Sequence, residues 1–435
     1  MFFSCTKDEV KVESKKTNEY NADFLHKYYD HICTTIRTTP GFFPPQAARA
    51  YGYIGIAGYE AAVIGIDETK SLQNQLFGFS SFKLPKPING LEYHWAIAVN
   101  ASTAQMIRNI FDINLSIENR KLTDTLEIEI HKELSKNINP LIAERSKIFG
   151  KNIADVVFAY SKTDGGHESY IDPFQLPYTL PFGAHVWEPT GSGQRPLSPK
   201  WGNNRPFLTN NVTKTSSGPP VAYSENPTSE FYKEATAVYQ QVKGNTTEQI
   251  EIARYWSDDP FSTCTPAGHS FNILSQILQE DRATLAKAVV SNAKMGVAEN
   301  DAFIACWKGK YDYLLLRPYT YIRRFIDPNF NTILGSPPFP AYTSGHSCEV
   351  GAATRILTSL FGNGNGHYQF TDYSQVQYGL FARSFTSFEQ MSEECANSRL
   401  YGGIHYPMDN SKGLQVGSAI GDNVNKEILW APFDK

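Results

Sequence analysis

The sequence predicts an all-α fold, two packed helical bundles with a long irregular connector between them. Amphipathic patterns of helical period recur along most of the chain, and the strict alternation that marks a half-buried strand is scarce. Residues 166–225 break the pattern with proline, glycine and aromatic residues. No apolar run approaches the ~18 residues that a membrane-spanning helix needs.

Residues 1–18 read as a mobile N-terminal tail. The start, MFFSCTKDEVKVESKKTNEY, sets a hydrophobic stub, a small residue and Cys5 ahead of a polar stretch. It resembles the cleavage end of a bacterial lipoprotein signal whose apolar region is missing. That implies an exported protein (periplasmic, cell-surface or secreted) with Cys5 as a lipid site. The plainer alternative is an accidental start.

Residues 19–165 form an N-terminal helical region. The first helix, over 19–39, places Phe24, Leu25, Tyr28, Tyr29 and Ile32 on one face. PPQAARAYGYIGIAGYEAAVIG opens with proline, which a helix start tolerates, and its alanines and glycines let another helix approach closely. Further helical patterns lie near 91–113, 117–136 and 139–162. The connector over 166–225 reads as a strap across the surface, and irregular segments of that length are often functional. Helical signals resume in the C-terminal region, 226–435, with Ser229 as a cap. Candidates follow at 246–257, 267–280 and 283–306, after His346 to about 361, and near 374–398 and 411–428.

A net charge of -4 with no basic or acidic run gives no electrostatic case for nucleic acid or an anionic membrane. With 41% hydrophobic and 19% charged residues, the chain has the composition of a globular protein. Besides Cys5 there are Cys33, Cys264, Cys306, Cys348 and Cys395, an odd number with no zinc or redox spacing, best read as buried free thiols. Oligomeric state is not written in the sequence.

Three clusters carry chemistry. KGKYDYLLLRP gives Lys310 and, after six residues, Arg317-Pro318. YTSGH gives Ser344, Gly345 and His346, either a plain turn or a nest of backbone N–H groups beside a titratable ring. SRLYGGIHYPMD gives Ser398-Arg399, then His405, then Asp409. His405 and Asp409 suit successive turns of one helix, with the carboxylate accepting the ring N–H and freeing the other nitrogen. Singly, each cluster has a bland reading as solvated charge or turn. Together, three cations with neutral donors and two histidines suit a tetrahedral oxyanion.

The pattern K-x6-RP, then SGH, then SR-x5-H-x3-D resembles the signature of the superfamily that joins type 2 phosphatidic acid phosphatases, bacterial acid phosphatases and vanadium-dependent haloperoxidases. It covers residues 310–409, with Thr343 where that family usually has proline. Trp307 and Phe339 match aromatic positions beside the halide pocket of the haloperoxidases, with core aromatics as the alternative. Chain length and the segments ARYWSDDP, TPAGHS and KWGNNRPF also resemble bacterial haloperoxidases.

The resemblance implies vanadate as cofactor, with vanadium bound to Nε2 of His405. It implies that Lys310, Arg317, Ser344, Gly345 and Arg399 neutralise its oxygens, with Asp409 supporting His405. His346 would then move the proton and Lys310 polarise hydrogen peroxide, while Asp258 or Asp259 pairs with Arg399. Substrates would be hydrogen peroxide, a halide and a small organic acceptor. Algal bromoperoxidases carry histidine at the position of Phe339, and chloride-using fungal enzymes carry Phe and Trp as this chain does. The general likeness to bacterial members nevertheless favours iodide. An acid phosphatase with His405 as nucleophile is the second reading, and a non-catalytic glycan-binding lipoprotein the third.

Overall fold

The computed structural model describes residues 13–433 apart from Leu176 and residues 363–365, and Cys5 lies outside this range. Five helices open the fold: α1 (Asp23–Thr38), α2 (Pro44–Ala62), α3 (Trp95–Phe111), α4 (Ile117–Leu134) and α5 (Pro140–Ser161). The connector carries the four-residue α6 (Asn210–Thr213). Then come α7 (Glu230–Gly244), α8 (Thr247–Tyr255), α9 (Thr265–Glu280), α10 (Leu285–Tyr313), α11 (Pro318–Phe325) and α12 (Gly345–Phe361). An antiparallel hairpin, β1 (His367–Asp372) and β2 (Arg383–Ser387), precedes α13 (Phe388–Tyr401) and α14 (Pro407–Glu427). No helix among the described residues is long and apolar enough to cross a membrane.

The two helical groups share one apolar core, because α2 lies along α10. Small residues make that approach possible: a Cβ on Gly55 would stand 2.8 Å from the carbonyl oxygen of Asn292. The same device seats α14 on α12, where a Cβ on Gly417 would lie 2.0 Å from the carbonyl oxygen of Cys348. This second contact brings the Ser344 and Asp409 backbones together, with Ser344 N–H donating to Asp409 O at 3.0 Å.

The connector is irregular yet anchored. Trp187, Leu197, Trp201 and Phe207 are buried. The carboxylate of Asp301 on α10 accepts the backbone N–H groups of Phe207 (2.8 Å) and Leu208 (2.9 Å) and the side-chain amide of Asn211 (2.9 Å). At its start, buried Arg49 pairs with Asp164 at 2.7 Å.

Several expectations need correction. The described end of the N-terminal tail is docked rather than mobile: Thr17 is buried and donates to Ala62 O at 2.8 Å, and Lys16 pairs with Asp67 at 2.6 Å. The helix expected over 374–398 starts only at Phe388, where Ser387 caps it by accepting from Gln390 N–H. The preceding residues form β2, because Phe385 packs against Phe370 across the hairpin, ring centroids 5.5 Å apart. α10 runs beyond residue 306 to Tyr313, which places Lys310 in its last turn. The five cysteines among the described residues are buried free thiols, as expected.

Candidate active site

The three sequence clusters meet in one buried place. Lys310 ends α10, Arg317 caps α11, Ser344 caps α12, Arg399 lies in the last turn of α13, and His405 immediately precedes α14. Lys310, Arg317 and Ser344 are fully buried, and Arg399 and His405 nearly so.

His405 and Asp409 do not share a helix. Pro407 starts α14, so His405 stands in the loop before it and Asp409 occupies the third helical position. The expected contact still forms, since a capping carboxylate reaches back over its own helix start. Asp409 Oδ2 lies 2.9 Å from His405 Nδ1 and accepts Tyr406 N–H at 3.1 Å. The other ring nitrogen, Nε2, lies 3.1 Å from Arg317 Nη1. A guanidinium only donates, so Nε2 must be an acceptor and the proton sits on Nδ1. Burial, then Arg317, Lys310 and Arg399, hold the ring far below its ordinary pKa, which keeps Nε2 unprotonated, its lone pair accepting from Arg317.

None of the three cations has a carboxylate within ion-pair distance among the described residues. Arg317 donates to the carbonyls of Phe339 (2.9 Å) and Ile404 (2.8 Å), and its Nη2 is buried without a partner. Arg399 donates to Trp256 O, and its Nε is likewise unpartnered. Uncompensated buried charge is costly, and three such charges converging imply an anionic guest. Burial pushes Lys310 down to about 8, and Arg317 is lowered for the same reason.

Lys310 departs from expectation. Its ammonium donates to the carbonyls of Pro340 (3.0 Å), Ala341 (3.0 Å) and Thr343, so all three protons are committed to the loop before α12. It contributes charge and holds that loop. The N–H groups of Gly345 and its successors open α12 and belong to the first turn, which has no intrahelical acceptors. Ser344 Oγ accepts from Ser347 N–H (3.3 Å) and Ser347 Oγ (2.9 Å), leaving its own proton free to donate.

A cavity of about 360 Å³ leads to this cage, lined by Phe43, Pro260, Phe261 and Phe339, with His346 and Arg399 also on its wall. His346 Nε2 lies 3.3 Å from Ser257 O and donates to it, so Nδ1 carries the lone pair. Burial, with Arg399 next, pushes its pKa well down. Of the aromatic pair expected beside the halide, only Phe339 lines the cavity. Trp307 is buried behind it, centroids 5.0 Å apart, because the connector covers α10 and Leu197 O takes the indole N–H at 3.2 Å.

Neither aspartate expected to pair with Arg399 does so. Asp258 is held by His269 at 2.9 Å and Asp259 forms no ion pair with Arg399, although Arg399 feels the charge of both. Instead the backbone carbonyl of Trp256 contacts Arg399, and that of Ser257 contacts His346. Main-chain acceptors leave no side-chain signature, so sequence reading missed them; ARYWSDDP marks the segment but not its role.

An oxyanion fits these residues. Two unpartnered guanidinium nitrogens, a helix N-terminus, a hydroxyl with its proton to give and an imidazole acceptor nitrogen come together with no carboxylate in ion-pair contact with the cations among the described residues. Fold and cage thus define an all-α protein built to bind a tetrahedral oxyanion next to a nitrogen ligand.

Comparison with known proteins agrees. Residues 291–429 match the family model of the VCPO second helical-bundle domain. A vanadium chloroperoxidase from Curvularia inaequalis is 22% identical in an alignment of 409 residues that covers 79% of this chain and 66% of that protein's length. The crystal structure of a bacterial vanadium-dependent iodoperoxidase superposes with a TM-score of 0.84 at 30% identity, covering 95% of this chain and 98% of the other. A bacterial vanadium-dependent chloroperoxidase shares the fold, with a TM-score of 0.68 at 14% identity over 91% of this chain and 93% of that one. The chain belongs to the vanadium-dependent haloperoxidase family, and vanadate is the cofactor that its cage accommodates.

Proposed function

We propose that the protein oxidises halide with hydrogen peroxide, iodide first, and releases hypohalous acid toward a small organic acceptor. One observation carries the reading: three buried cations, with no carboxylate in ion-pair contact among the described residues, bear on His405, whose Nε2 is an acceptor. When bound, vanadate supplies a Lewis-acidic centre that activates peroxide without changing its own oxidation state. His405 is the residue to hold the metal, with Asp409 fixing its tautomer. Arg317, Arg399, Ser344 and the Gly345 N–H bind and orient the oxygens, while Lys310 adds charge and secures the loop of residues 340–343.

His346 is the acid–base group. It is neutral, faces the cavity, and its Nδ1 is free to take a proton from incoming peroxide. Phe339 and the other apolar residues at the mouth exclude water from the cage and suit an organic acceptor. Iodide is preferred because it gives up electrons most readily, and because the 30%-identical structural neighbour is an iodoperoxidase. Steady-state rates with iodide, bromide and chloride at fixed peroxide, beside hydrolysis of a phosphate ester, test this. Iodide should be oxidised, bromide weakly or not at all, and chloride not at all. Ester hydrolysis without halide oxidation would favour the phosphatase reading. Export with a lipid anchor at Cys5 is proposed on the sequence alone.

A further inference from the structure

Behind the cage lies a second buried cluster that the reading above does not use. His269 on α9 is 2% exposed, and each of its ring nitrogens faces a carboxylate. Nδ1 lies 2.9 Å from Asp258 Oδ2, and Nε2 lies 2.8 Å from Asp372 Oδ2, at the end of β1. Ionised carboxylates only accept, so facing Asp258 and Asp372 the ring is an imidazolium; Gln375 Nε2 also lies 2.8 Å from Nδ1, and its own donation goes to Asp258 Oδ1. Burial opposes the charge, but Asp258 and Asp372 outweigh it and push the pKa up to about 10.

Each carboxylate is fixed further. Gln375 Nε2 donates to Asp258 Oδ1 at 2.7 Å. Tyr255 OH donates to Asp372 Oδ2 at 2.7 Å, and Ser374 N–H to Oδ1 at 2.8 Å. The Trp256 ring stacks on the imidazole, centroids 4.6 Å apart and planes within 21°. Asp258 has a φ of +47°, a left-handed conformation in which a non-glycine residue needs outside support.

This cluster supplies the support, and the segment it holds is the one that grips the cage. Trp256 O accepts from Arg399, and Ser257 O accepts from His346 at 3.3 Å. We infer that His269 is a positioning residue of the active site: clamped between Asp258 and Asp372, it sets the Trp256–Asp258 segment whose consecutive carbonyls hold Arg399 and His346. The β1–β2 hairpin thereby belongs to the scaffold of the site. The affinity part of the test below rests on the vanadate reading; the spectroscopic part does not.

The full chain is compared with His269→Gln, which keeps a hydrogen-bonding side chain but not the charge. The 15N and 1H resonances of histidine rings are recorded without any anion, His346 being assigned with His346→Gln. Vanadate affinity is measured by calorimetry, and kcat and KM for peroxide by rate assay. His31→Asn is the control: it cuts a buried 2.7 Å contact between α1 and Thr123 on α4, with no bond to the Trp256–Asp258 segment. His269→Gln should move the His346 resonance and weaken vanadate about tenfold to a hundredfold, the range for groups that orient a ligand. It should lower kcat more than it raises KM, while His31→Asn changes thermal stability only. An unmoved His346 signal with unchanged affinity, whatever the loss of stability, overturns the inference. Should His269→Gln not fold, Asp372→Asn decides, because it keeps the shape and drops one of the two charges. The same His346 shift is expected there, and its absence overturns the inference equally. If the parent protein binds no vanadate, the proposed function fails while the His346 signal still decides about His269.

Discussion

Arg317 Nη1 stands 3.1 Å from His405 Nε2, while Asp409 holds the opposite ring nitrogen at 2.9 Å. A cation on one side and a carboxylate on the other leave a single tautomer, with its lone pair directed into the cage. Asp409→Asn removes the charge and the preference but keeps the shape. Vanadate affinity should drop about tenfold to a hundredfold, as for other groups that orient a metal-binding histidine. Calorimetric titration beside a melting curve checks this; unchanged affinity would remove Asp409 from the account.

The two histidines should separate. His405→Ala removes the nitrogen ligand and should abolish vanadate binding. His346→Ala leaves the cage intact and should keep much of the binding while losing turnover. Titration paired with rate assays distinguishes them, and equal loss of binding in both would mean that the roles are misassigned.

Lys310 gives a pH signature. Its folded pKa is about 8 against an ordinary 10.5. Between those values the unfolded chain binds the proton and the folded, anion-free chain does not, so stability contributed by this group rises with pH across that window. Anion binding needs the proton back. Phosphate, a dianion throughout the range, should therefore bind about tenfold more weakly per pH unit above about 8, with proton uptake on binding. Calorimetry in two buffers of different ionisation enthalpy reads the uptake. A phosphate affinity constant from pH 8 to about 10 would show that Lys310 keeps its proton.

Asp301 ties the connector to α10. Asp301→Ala leaves two backbone N–H groups and the side-chain amides of Asn211 and Asn300 without their acceptor. The loss should be about 2–4 kcal/mol, since buried donors are expensive to orphan. Denaturant unfolding measures it, and a loss below about 0.5 kcal/mol would mean water replaces the carboxylate without cost.

Much of this was legible in the chain. Lys310, Arg317, Ser344, Arg399 and His405 stand at helix ends or caps, and such places have sequence signals, so their spacing revealed the cage. The expected helix through His405 failed because Pro407 starts α14 and leaves His405 in the loop before it. What was hidden is long-range. Nothing near Trp307 announces that Leu197 will cover it, and nothing near Lys310 announces three carbonyl acceptors from the next loop. Asp258, His269 and Asp372 are far apart in sequence, and the carbonyls of Trp256 and Ser257 belong to the main chain. Phe385 misled because an aromatic suits a strand and a helix face equally.

The central claim is that one cage of buried cations, closed by His405, makes halide oxidation depend on vanadate. The direct measurement strips the purified protein with a chelator at low pH. Iodide oxidation at fixed peroxide is then followed as vanadate is returned, with rising phosphate as competitor. Activity should be negligible in the stripped protein, return with saturating dependence on vanadate, and be suppressed competitively by phosphate. Full activity in the stripped protein, or indifference to phosphate, would contradict the account.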